Sequence, residues 1–75
     1  MGLKSDLEEL MGSLFGKDIK EIFEWFYDEN NPEEMLKASD EMLSKLLGRR
    51  AAHTHLRKIL KKYPKLGWYE RTWEN

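Results

Sequence analysis

His53 and His55 are the two imidazoles of the chain, and imidazole is the natural first choice for metal ligation or proton transfer. On a helix, residues two apart point about 200° away from each other, so this pair cannot grip one metal ion. The serines at 5, 13, 39 and 44 have no histidine close in sequence, and no nucleophile elbow surrounds them. Cysteine is absent, which excludes thiolate nucleophiles, disulfides and Cys-based zinc sites. Gly12 and Gly16 have the spacing of helix punctuation, not of a phosphate-binding loop. The expectation is therefore a protein without catalytic residues, metal site or cofactor, and not an enzyme.

Charge is the property that could do something. Residues 1–48 hold five lysines and twelve carboxylates, a net of −7. Residues 49–65 hold seven Arg or Lys and no acid, a net of +7. The overall charge of −1 conceals this polarity. On a helix, Arg50, Thr54, Arg57 and Lys61 fall on one row, flanked by Lys58 and Lys62. Such a row can neutralise phosphates and release their counterions, and Thr54 could donate to a phosphate oxygen. The same pattern is also expected of the solvated face of an amphipathic helix that answers acidic helices, within the molecule or across a homodimer.

Aromatic residues offer a second kind of contact. Trp25, Trp68 and Trp73 are candidate anchors for a protein partner, because tryptophan is enriched at binding hot spots. The competing expectation for Trp25 and Trp73 is cover inside the molecule, since so short a chain needs the burial. Tyr63, Trp68 and Tyr69 could stack on the bases of a single strand.

The elements that must position these side chains are helices. Leucine occurs eleven times and valine not at all, an alphabet that loses little rotamer freedom in a helix. A first helix is expected from Ser5, with Ser5 and Glu8 at capping-box spacing, burying Leu3, Leu7, Leu10, Met11 and Leu14. Gly12 lies opposite that face, and Gly16 ends the helix. Asp18 and Glu21 open a second helix with Ile19, Ile22, Phe23, Phe26 and Tyr27 inside an arc of about 140° and Trp25 beyond its edge. Asn31 and Pro32 start a third, as cap and first helical residue. It buries Met35, Leu36, Ser39, Met42, Leu43, Leu46 and Leu47 as far as Gly48, the alternative being a break with Ser39 as a new cap. A fourth runs from Arg49 to Tyr63 on an apolar face of Ala52, Leu56, Ile59, Leu60 and Tyr63, and stops before Pro64. Residues 64–75 read as an aromatic arm that could be strand, helical turn or extended chain.

Asp40 to Leu60 resembles a helix-turn-helix unit, with Met42 to Gly48 as a first helix and its turn glycine and Leu56 to Leu60 as the end of a recognition helix. That resemblance implies DNA binding. Its register would place an apolar residue at Arg49 and buried residues at Thr54 and Arg57, all three polar. DNA binding therefore rests on charge and not on this motif.

The fold expected is all-α: one compact four-helix domain over 1–75, with short connections and a C-terminal aromatic arm. Its start lacks the apolar run of a signal peptide, no stretch is apolar enough for a membrane span, and a cytoplasmic location is the expectation. The function expected is that of a small protein-interaction or regulatory module. The alternative is nucleic-acid binding through Arg50, Thr54, Arg57, Lys58, Lys61 and Lys62.

Overall fold

A computed structural model describes residues 2–73, with Phe26 through its backbone alone. The chain is all-α. In order, α1 spans Leu3–Phe15, α2 Lys17–Phe26, α3 Pro32–Leu47 and α4 Arg49–Leu60. A 3-10 turn at Pro64–Leu66 and a short α5 at Trp68–Arg71 follow. Of the three options for the C-terminal arm, the helical turn is the one realised. Contacts divide the chain into two units, one ending at Ser39 and the other starting at Asp40, so the division falls inside α3.

In the first unit, α1 packs on α2. Leu3, Leu7 and Met11, at successive turns of α1, are buried, as is Phe23 of α2. The Phe23 ring lies 4.8 Å from that of Tyr27 at a tilt of 42°. Gly12, expected on the free side of α1, is half-buried beside Lys20, whose Cδ would stand 3.1 Å from an added Cβ. Ile22 and Leu14 are partly exposed and not core residues. The place expected for the Phe26 side chain lies outside the described residues.

Both capping boxes expected in this unit fail to form. α1 begins two residues before Ser5, its Asp6 N–H bonding the Gly2 carbonyl at 3.0 Å. No side chain caps it from Ser5; the Lys4 N–H instead donates to Glu29 Oε2 at 3.4 Å, across 25 residues. α2 begins at Lys17, with Gly16 alone between the helices, so Asp18 is already inside the first turn. The Asn31–Pro32 start of α3 does form. Asn31 Nδ2 donates to Glu34 Oε2 at 3.0 Å, and the Glu34 N–H reaches back to Asn31 Oδ1 at 3.5 Å. Met35, Leu36 and Ser39 are buried.

In the second unit, α3 continues without a break at Ser39 to Leu47. Leu43 is buried, but Leu46 and Leu47, expected on the core face, are 61% and 41% exposed. Gly48 alone joins α3 to α4. The face expected for α4 is the buried one: Ala52, Leu56, Ile59 and Leu60. The helix ends three residues earlier than Tyr63. Tyr63 precedes Pro64 and takes φ −131°, ψ 77°, since a residue before proline is pushed out of the helical region. The backbone tightens there into three-residue bonds, Lys62 N–H to Ile59 and Tyr63 N–H to Leu60. Tyr69 of α5 is the buried residue of the arm. No helix among the described residues is long and apolar enough to cross a membrane.

Candidate interaction site

The two sets of residues singled out by type occupy different environments. Arg50, Thr54, Arg57, Lys58, Lys61 and Lys62 are all exposed; helical register along α4 presents the first four to solvent, and Lys61 and Lys62 follow in the turn after its end. Two of its members have partners of their own. Thr54 Oγ1 donates to the Arg50 carbonyl at 2.9 Å, which uses the one proton it could give a phosphate. The Arg57 Nε lies 3.8 Å from Glu70 Oε1, and its guanidinium carbon sits 5.5 Å from the centre of the Trp73 ring. The first turn of α4 carries Arg49 and Arg50 and no acid, the unfavourable sign for the positive end of a helix dipole.

The three tryptophans divide likewise. Trp73 is half-buried. Its ring stacks on His53 at 3.8 Å and 6°, and it meets Tyr69 edge-on at 5.8 Å. Trp68 is half-buried and edge-on to Tyr69. Trp25 is 84% exposed, against the expectation of cover, and Ile22 beside it is 49% exposed. Residues 18, 21, 22 and 25 share one helical stripe, and together Asp18, Glu21, Ile22 and Trp25 line a shallow groove on α2. An indole and an isoleucine flanked by two carboxylates form an apolar contact with an anionic rim.

A further cluster lies wholly in the second unit, and the sequence reading did not single it out. Asp40 accepts from the Tyr69 hydroxyl at 2.9 Å through Oδ2 and from Ser44 Oγ at 3.1 Å through Oδ1. The His53 Nε2 stands 3.6 Å from Oδ1, beyond hydrogen-bond length. Arg49, Ser44, His53 and Thr72 line a polar cleft beside this carboxylate. Part of the periodic signal was present: Asp40 with Ser44 and His53 with Arg57 are each four apart on a helix, whereas Tyr69 and Trp73 lie in the arm whose conformation the sequence left open. What periodicity does not supply is the meeting of the three pairs across as many as 29 residues. The carboxylate here ties α5 to α3, which is a structural task.

Tyr69 gives that tie a pH signature. Burial, then the hydrogen bond to Asp40 and the negative charges of Asp40 and Glu41, hold its phenol above the ordinary 10.0, with Trp73 acting weakly the other way. A raised value in the folded state means the neutral phenol favours folding. That stabilisation is complete below pH 10 and is lost as pH climbs from there toward the raised value. The unfolding free energy should therefore fall above pH 10 by up to about 1.4 kcal/mol per pH unit from this group. Urea unfolding between pH 8 and 12 checks it: Tyr69→Phe should lack that component, and equal slopes in the two proteins would refute it.

Among the described residues, no group of three or more His, Asp or Glu could hold a metal ion. In comparison with known proteins, no family model, no curated protein and no solved structure matches this chain.

Proposed function

We propose that the chain is a small non-enzymatic protein-interaction module that grips a cationic segment of a partner through the Ile22–Trp25 face of α2. The observation that carries this reading is Trp25 at 84% exposure. A tryptophan in water forgoes a large burial that a partner can supply. Ile22 widens the apolar contact, and Asp18 and Glu21 favour lysine and arginine at its edge. Complementary charge of this kind steers encounter and selects partners, while the buried aromatic supplies most of the affinity.

A second reading is nucleic-acid binding through Arg50, Lys58, Lys61 and Lys62. The exposure of all four favours it, as does the uncompensated positive first turn of α4. Thr54 and Arg57 contribute less in this reading, because the Thr54 hydroxyl is already bonded and the Arg57 charge is answered by Glu70.

One set of titrations separates the two. An amphipathic helical peptide of leucine and lysine is added to isotope-labelled protein and amide shifts are followed. Duplex and single-stranded DNA are added in parallel at low and moderate salt. The peptide should move residues 18–25, and Trp25→Ala should weaken it at least about tenfold, as loss of an interface anchor does. Unchanged affinity in that variant overturns the anchor. Salt-sensitive shifts confined to residues 49–65, without a peptide response, would transfer the function to the second reading.

A further inference from the structure

We infer that the α2 face is occupied by a second copy of this chain, which inserts the exposed corner where α3 meets α4. The inference rests on the reading of Trp25 as a partner anchor and names that partner.

Two exposed apolar patches carry it. One is Ile22 with Trp25, edged by Asp18 and Glu21. The other is Leu46 and Leu47, 61% and 41% exposed at the end of α3. Lys45, Arg49 and Arg50, all exposed, flank that corner in sequence. Scattered exposed leucines need no explanation, but adjacent ones with a charged rim mark a contact site. The two rims are of opposite sign. Pairing α2 with α2 would set carboxylates against carboxylates, and pairing corner with corner would set cations against cations. Pairing α2 with the corner satisfies both. It also brings Asp18 and Glu21 to the first turn of α4, which has no acid of its own.

Because each copy offers both halves, two copies can pair reciprocally about a two-fold axis, or each copy can serve one neighbour as socket and another as corner. A single tryptophan and three aliphatic side chains bury less than a stable dimer needs, so association should be weak and reversible, with a dissociation constant on the order of 0.1–1 mM.

Complementation of variants tests this directly. Trp25→Ala removes the socket and keeps the corner; Leu46→Ser with Leu47→Ser removes the corner and keeps the socket. All three positions are exposed, and circular dichroism confirms that both variants remain folded. By sedimentation equilibrium the unaltered chain should gain mean mass with concentration. Each variant alone should stay monomeric. An equimolar mixture should form one-to-one pairs and nothing larger, since each variant keeps the half that the other lacks. A mixture that stays monomeric, while the unaltered chain associates, shows that socket and corner do not pair and overturns the inference; association of the Leu46→Ser, Leu47→Ser variant alone would show α2 pairing with itself and overturns it likewise. An unaltered chain that stays monomeric throughout also overturns it; if the leucine–lysine peptide still moves residues 18–25, the interaction reading survives with another partner. If neither associates, both readings fall together.

Discussion

Replacing Asp40 by alanine is expected to lower the stability of the second unit by about 2–4 kcal/mol, because hydrogen bonds to a charged group are among the stronger ones and their loss strands a buried donor. The carboxylate accepts from Tyr69 at 2.9 Å and from Ser44 at 3.1 Å. Tyr69 is 5% exposed, so its hydroxyl has little access to water as a substitute partner. Alanine is the better helix former, which returns a few tenths of a kcal/mol and does not change the sign. Asp40→Asn keeps an acceptor of the same shape and should fall between alanine and the unaltered chain. Urea unfolding followed by circular dichroism measures the series, and near-ultraviolet dichroism of Trp73 reports whether the stack on His53 survives. Alanine and asparagine variants as stable as the parent would show that the carboxylate holds nothing. Tyr69→Phe removes the donor with the need for it and should cost less than Asp40→Ala.

This cluster also marks the boundary of what the sequence could disclose. The face of α4 was legible because Ala52, Leu56 and Ile59 recur at the helical period, and a period is a local property. The start of α3 was legible for the same reason: Asn31, Pro32 and Glu34 make their own cap within four residues. Ser5 and Glu8 have the spacing of a cap, but the helix already starts at Leu3, and Glu29 reaches its first turn at Lys4 across 25 residues. Trp25 and Leu46 show the converse limit. Hydrophobicity says what a side chain gains from cover, and not whether the fold has a neighbour to provide it. Leu46 was expected inside, and Trp25 either covered or open as an anchor; both stand in solvent. Of the candidate site, the residue types and their rows along the helices were therefore readable. Which tryptophan remained open was decided by contacts that no spacing records: His53, Tyr69 and Arg57 converge on Trp73.

Gly48→Ala is expected to cost about 1–3 kcal/mol, although the added methyl group would touch nothing. Gly48 is the single residue between α3 and α4 and holds φ +92°, ψ 155°. An L-residue there places its Cβ against its own backbone, in a region that only glycine enters freely. Beyond Gly48 and its two chain neighbours, no atom lies within 4 Å of the position an added Cβ would take, so crowding by the rest of the fold contributes nothing to the loss. The backbone has no easy retreat either. The Gly48 N–H closes α3 on the Ser44 carbonyl at 2.9 Å, and the Gly48 carbonyl opens α4 by accepting from Ala52 at 3.0 Å. One residue thus ends one helix and starts the next, and a shift of its φ would open one bond or the other. Gly16 is the equivalent joint between α1 and α2, with φ +99° and free space around it, so Gly16→Ala should behave alike. The decisive comparison is D-alanine at position 48, introduced by chemical synthesis. Its mirror-image preference suits a positive φ, so it should recover most of what L-alanine loses in thermal unfolding. Equal losses from the two enantiomers would mean that the methyl group itself, and not the sign of φ, is what the joint rejects.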